Sequence, residues 1–185
     1  DDLSCGTRAN LLAQVKLHGR DITGPDLEEV FTGHQYDAVI HCAAAVSVIR
    51  SMHDPDFDRR VNLQGTAAVL DMCPSHGCPK LIFLSSGGAI LGETAFPATE
   101  AAPVNPLSCY GLHKYWAETY VEFSGLRSAI LRLANVYGPR QRAGIEGGVV
   151  AVFTERMDRG LKVDPFVKTA ENARYPAINE RQHIH

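Results

Sequence analysis

Long apolar runs are missing from this chain of 185 residues. Runs such as 43–46 and 67–70 fall far short of the roughly 20 residues that a bilayer span requires. No signal peptide opens the chain, so a soluble, cytoplasmic protein is expected. An excess of charge is missing as well: 18 Lys and Arg against 21 Asp and Glu leave a net charge of −3, with no long run of one sign. That excludes the basic footprint of a nucleic-acid partner and the polybasic patch of a membrane-surface protein. Cysteine pairing is the third absence. The five cysteines are an odd number, two lie inside apolar runs, and none forms Cys-x-x-Cys, which fits a reducing compartment better than a disulfide framework. Cys73, His76 and Cys78 offer three zinc ligands without a fourth, and Pro74 and Gly77 mark that stretch as a helix-to-strand connection, so no metal is expected.

What is present is an alternation of two periods. Residues 36–42 (YDAVIHC), 80–85 (KLIFLS) and 128–133 (SAILRL) are almost continuously apolar, as strands buried on both faces of a parallel sheet must be. Between them lie helical patterns. Residues 26–31 read as a short helix opened by acids, 57–72 carries Val61, Ala68 and Met72 at near-helical spacing, and 110–123 places Trp116, Tyr120 and Phe123 on one stripe. Strand and helix in alternation imply right-handed crossovers and an α/β fold with a doubly wound parallel sheet. Residues 87–108, with three prolines and little periodicity, read as a functional loop beyond a strand's carboxyl end, the edge where such sheets bind ligands. Residues 1–161 form the expected domain, and 162–185 read as a weakly ordered tail without functional signal.

Tyr110 and Lys114 stand four apart at the start of a helix and share a face. A neighbouring ammonium favours phenolate, which turns a tyrosine into a general base near neutral pH. Alone, the pair also fits a solvated helix face. Its meaning changes because a buried strand ending in Ser85-Ser86 precedes it, where a hydroxyl can hydrogen-bond the same reacting oxygen. HCAAAV (41–46) ends a strand in small residues that let a cofactor approach the backbone, VNLQGT (61–66) sets an Asn within a helix, and RLANVYGPRQ (132–141) carries an Asn just past a strand.

This ordered set, over residues 1–161, resembles the extended short-chain dehydrogenase/reductases, specifically the NAD-dependent nucleotide-sugar epimerases and dehydratases, and most closely the UDP-glucose 4-epimerase type. The resemblance implies a Rossmann-like fold and oxidation of a sugar hydroxyl to a 4-keto intermediate that is re-reduced from the other face. It implies that Tyr110 is the acid/base, that Lys114 lowers its pKa and holds the nicotinamide ribose, and that Asn135 touches the nucleotide-sugar substrate. Ala43, Ala44, Ala45 and Asn62 would line the cofactor, Asp21 and Ile22 would border its adenine, and Asp1 would bind ribose hydroxyls from the end of a second strand, favouring NAD over NADP. The residues by themselves leave blander readings open. Asn62, Asn135 and Asp21 suit caps or turns, and Ala43–Ala45 suit close packing; His41 and His113 receive no role.

A 4,6-dehydratase of this family needs an acid–base pair just after the serine or threonine, where this chain has Gly88 and Ala89, so dehydration and Glu-assisted decarboxylation are disfavoured and 4-epimerisation leads. Two departures stand out. The catalytic Ser/Thr of the family falls on Gly87, with Ser86 one residue earlier as the substitute, and Cys109 replaces the usual proline before the tyrosine. No Gly-rich pyrophosphate turn precedes Asp1, so the chain reads as an internal fragment lacking the first βαβ unit and most of the C-terminal substrate domain, and is expected to bind NAD poorly alone. The full-length protein is expected to be a homodimer through the helices near Phe57 and Tyr110, with the 116/120/123 stripe serving that interface or a core. A non-catalytic nucleotide-binding relative is the alternative from another class.

Overall fold

The computed structural model describes residues 1–94, 97–141, 143 and 148–163. Most of the expected tail, and part of the 87–108 segment, lie outside them. The chain divides into two units, Asp1–Ile90 with Pro106–Asn135, and Leu91–Asn105 with Val136–His185.

The first unit is built on a three-stranded sheet, β1 (Val39–His41), β2 (Lys80–Ser86) and β3 (Arg127–Leu133), in the order β1-β2-β3 with both pairings parallel. Parallel neighbours need long crossovers, and the helices supply them. The sequence reaches β1 through a 3₁₀ turn, Pro25–Leu27, that runs into α1 (Glu28–Phe31). Between β1 and β2 lie α2 (Val48–His53), α3 (Pro55–Arg59), a π-helical turn (Arg60–Gln64) and α4 (Gly65–Ser75). A short α5 (Gly87–Leu91) follows β2, and α6 (Cys109–Phe123) crosses back to β3. The second unit holds α7 (Val149–Asp158).

The core lies where α4 and α6 cover one face of the sheet. Leu81 and Phe83 of β2, Val69 and Cys73 of α4, and Ala117 and Val121 of α6 are all at most 4% exposed. Burial of each large side chain contributes about 1.5–3 kcal/mol. α6 forms because Ser108 caps it, its hydroxyl accepting from Gly111 N at 3.1 Å, and ends before Gly125, whose φ of +73° a side chain would resist. Its buried positions, Tyr110, His113, Lys114, Ala117 and Val121, recur at spacings of three and four. The opposite stripe is exposed: Trp116 by 42%, Tyr120 by 53% and Phe123 by 85%. The stripe is therefore not part of this chain's core.

Three local expectations are corrected. The first strand is shorter than 36–42, because Tyr36 turns its hydroxyl onto Val30 O and its ring edge onto Phe31 instead of joining the ladder. The helix over 57–72 runs from Pro55 to Ser75 and is interrupted by the π-turn, which rotates the sequence downstream. Asn62, Thr66, Val69 and Cys73 face inward, with Val61, Ala68 and Met72 only half-buried. The segment after β2 is not loop throughout, since its first five residues form α5. The Asp1 carboxylate accepts from Leu3 N at 2.7 Å in a local turn.

Candidate active site

The carboxyl ends of the three strands bring together most of the residues singled out by sequence. β2 ends at Ser85-Ser86; Ser86 is in register with Leu133 of β3, two residues before the exposed Asn135, and His41 of β1, in register with Phe83, leads into Cys42 and Ala43–Ala45. Tyr110 enters from the first turn of α6, where its backbone N–H donates to Ser51 Oγ of α2 at 3.0 Å. Gly111 makes this approach possible. A Cβ there would lie 2.2 Å from the carbonyl oxygen of Ala89 in α5.

Tyr110 is 9% exposed, and burial pushes its phenol above the usual tyrosine range. The nearby Ser86 hydroxyl pulls it back down, and the negative charge of Asp58 pushes it up again. Of the two candidate positions for the family's hydroxyl, Ser86 is the one whose side chain meets the phenol. Lys114 is buried beneath the same edge. Its ammonium donates to Leu84 O at 2.7 Å and rests 4.1 Å over the Phe83 ring. At 3% exposure, burial lowers it to about 8, against the favourable charges of Glu118 and Asp58. The direction of the Tyr110 shift is thus set by burial, Ser86 and Asp58.

Asn62 is buried beside the Ala43–Ala45 loop. It is 1% exposed, and its side-chain amide is spent on one backbone unit, accepting from Ala45 N at 3.1 Å and donating to Ala45 O at 2.8 Å. It holds the Ala43–Ala45 loop from behind. The π-turn aims it there. His41, given no role by sequence, completes the clamp. Thr66 Oγ1 donates to Asn62 O at 2.7 Å, so it accepts from His41 Nε2 at 3.0 Å, which assigns the His41 proton to Nε2. Burial depresses His41 to about 4, so the ring stays neutral near pH 7.

The remaining predicted residues are placed as follows. Asp21 Oδ1 accepts from Thr23 N at 2.8 Å and from Thr23 Oγ1 at 2.9 Å, an Asx turn that presents Ile22. Ile22 packs against Gly65, where a Cβ would lie 2.5 Å from its Cδ1. Asp21 and Ile22 therefore serve the packing of α4 whatever else they touch. Ser51, Asp58, Thr66 and His113 all hold this site, and sequence reasoning missed them because each meets its partner across a long sequence separation. Among the described residues no group of three His, Cys, Asp or Glu side chains is placed to hold a metal ion.

The arrangement fits a dinucleotide. Ala43 is exposed and Ala44 and Ala45 are half-buried, leaving backbone accessible at the end of β1, and Ser85 Oγ is buried there in β2 without a hydrogen-bond partner. The chain is similar to the Thermotoga maritima UDP-glucose 4-epimerase crystallised with UDP-glucose, at 42% identity and a TM-score of 0.83 over 88% of this chain and 55% of that one. The Thermus thermophilus UDP-glucose 4-epimerase in complex with NAD matches at 38% identity and a TM-score of 0.79, with the same coverage of 88% and 55%. The UDP-glucose 4-epimerase of Mycolicibacterium smegmatis is 34% identical over 97% of this chain and 61% of its own length. The chain thus spans a little over half the length of these relatives. The family model of NAD-dependent epimerases/dehydratases matches residues 1–177. With its parallel sheet and the Tyr110–Ser86 contact at the sheet's carboxyl edge, the chain belongs to the NAD-dependent epimerase/dehydratase family, a family of enzymes with a Rossmann-like fold.

Proposed function

We propose that this chain carries the acid/base half of a nucleotide-sugar 4-epimerase. The observation that carries the reading is the buried Tyr110 in the first turn of α6, its phenol within the influence of the Ser86 hydroxyl at the carboxyl edge of the sheet, with Lys114 one helical turn on. Tyr110 takes the proton of the sugar 4-hydroxyl and later returns it to the 4-keto oxygen, while the Ser86 hydroxyl steadies that oxygen. NAD, when bound, would supply the hydride acceptor and donor that oxidation and re-reduction at C4 require. Ala43, Ala44 and Ala45 form the wall it approaches, Asn62 fixes that wall, Lys114 holds the nicotinamide ribose, and Asn135 meets the substrate. Asp21 and Ile22 border the adenine.

Gly88 and Ala89, in the helical turn after Ser86, carry no group that can move a proton, which supports simple oxidation and re-reduction over dehydration or decarboxylation. The exposed aromatic stripe of α6 supports a homodimer of the whole protein. No helix among the described residues is long and apolar enough to cross a membrane, and the buried Cys73 and Cys78 thiols suit the reducing cytoplasm.

The test is interconversion of UDP-glucose and UDP-galactose by the whole protein carrying this chain. Tyr110→Phe is expected to cut kcat at least about 100-fold, the scale of general acid–base catalysis, with the fold intact by circular dichroism. Full activity in that variant removes Tyr110 from its role. No turnover of either sugar by folded, NAD-loaded wild type favours the non-catalytic relative.

A further inference from the structure

The main chain of Tyr110 is held by a residue far from it in sequence, and the reaction proposed above gives that residue no role. Tyr110 is the second residue of α6, so its N–H is one of those at a helix start that have no intrahelical partner. The residue that caps a helix can satisfy the N–H two or three positions on. Here Ser108 takes the third, accepting from Gly111 N at 3.1 Å, and the Tyr110 N–H goes to Ser51 Oγ of α2 at 3.0 Å, across 59 residues of sequence. Ser51 is 1% exposed. Its hydroxyl proton is spent inside α2, donated to Val48 O at 2.6 Å, which leaves the oxygen a lone pair for α6. The bond within α2 already satisfies the serine, so the second bond serves Tyr110.

The place of α2 gives that bond a consequence for the chemistry. Ala45 is clamped at its N–H and its carbonyl by the Asn62 amide, and α2 begins three residues later, capped by Ser47, whose hydroxyl accepts from Arg50 N at 3.2 Å. With six residues, α2 is a short helical spacer between the wall proposed for the cofactor and the residue proposed to move the proton. We infer that Ser51 is a positioning residue for that reaction: it registers the Tyr110 main chain, and with it the phenol, against the Ala43–Ala45 wall. The inference rests on the acid/base role proposed for Tyr110. Oxidation of a sugar hydroxyl sends a hydride and a proton to two different acceptors, which must be held at a fixed spacing, and a displacement of about 1 Å can cost on the order of 100-fold in rate.

The other ties of α6 lead elsewhere. Gly111 rests on Ala89 of α5, Lys114 donates to Leu84 O of β2, His113 meets Asp58 of α3 at 2.7 Å, and Glu118 binds Arg132 of β3 through bonds of 2.7–3.1 Å. These seat the helix in its layer. Among the described residues, Ser51 is the side chain that binds the Tyr110 N–H.

The experiment is the steady-state kinetics of UDP-galactose interconversion by the whole protein carrying this chain, with NAD affinity read by calorimetry and stability by thermal unfolding. Ser51→Ala removes the acceptor without adding bulk. It is expected to lower kcat by on the order of 10-fold or more, with KM and the NAD Kd near wild type, as for an interaction that counts only in the transition state. Ser51→Thr restores the oxygen and adds a methyl group at a buried site, so it should keep turnover and lose stability. Positioning makes turnover follow the oxygen across these two variants; a purely structural role makes it follow stability. A folded Ser51→Ala with unchanged kcat, or a folded Ser51→Thr as slow as Ser51→Ala, overturns the inference. Should either fail to fold, Ser51→Cys, of similar size and a weaker acceptor, must be slower than wild type at unchanged NAD affinity. Full activity of Tyr110→Phe means that the acid/base reading has failed and the inference with it, whereas a slow Tyr110→Phe beside a fully active Ser51→Ala overturns the inference alone.

Discussion

Lys114 shows how one buried side chain makes stability depend on pH. Its ammonium is lowered from 10.5 to about 8, chiefly by burial. Between those two values the unfolded chain binds a proton that the folded chain does not, so stability rises as pH climbs through that window, and the cost of burying the charge is present in full below about 8. Lys114→Met removes the term. Its stability relative to wild type is expected to fall between pH 8 and 10.5, by at most about 3 kcal/mol, as read by urea unfolding at each pH. An unchanged difference would mean that the ammonium is hydrated. At this scale the sequence was only partly legible. Residue types and spacing singled out Tyr110, Lys114 and Ser86, but burial decides which charge governs the phenol, and burial is a property of the packed layers. The turning of Lys114 toward Leu84 O follows from that packing as well.

At the scale of elements, α6 and the π-turn do most to shape the site. α6 rests on α5 at Gly111, where an added methyl would meet the backbone carbonyl of Ala89 at 2.2 Å. Backbone cannot swing aside as a side chain can. Gly111→Ala is therefore expected to destabilise the fold by more than about 2 kcal/mol. Gly65→Ala meets side-chain atoms and no backbone, Ile22 Cδ1 at 2.5 Å and Cγ1 at 2.8 Å, and should cost less. Chemical denaturation of the two variants checks the order, and equal losses would contradict the account of α6. Apolar runs and helical spacing located all three strands, α6 and the long crossover. The π-turn left no trace in them, because a single extra residue in a helical turn changes the facing of side chains without changing composition. For that reason Val61, Ala68 and Met72 were expected inward and Asn62, Thr66, Val69 and Cys73 are found there.

Over the whole molecule, what sequence could not settle was the fate of the Trp116, Tyr120 and Phe123 stripe. Its periodicity fits a core as well as an interface, and the choice depends on what else packs on α6. Exposure of 42%, 53% and 85% answers for this chain and supports the dimer proposed above. Phe123→Lys in the whole protein is expected to weaken that dimer at least about tenfold, the scale of losing 1.4 kcal/mol or more at an aromatic anchor. Sedimentation velocity over a concentration series measures it, and a monomeric wild type would leave the stripe without this use. β3 carries a different consequence. Among the described residues it is the last strand of the sheet, seven residues long, with Leu131 44% exposed. Its outer row of amides and carbonyls is a ready template for another extended segment, so handled in isolation this chain will recruit copies of itself edge to edge unless that row is kept occupied.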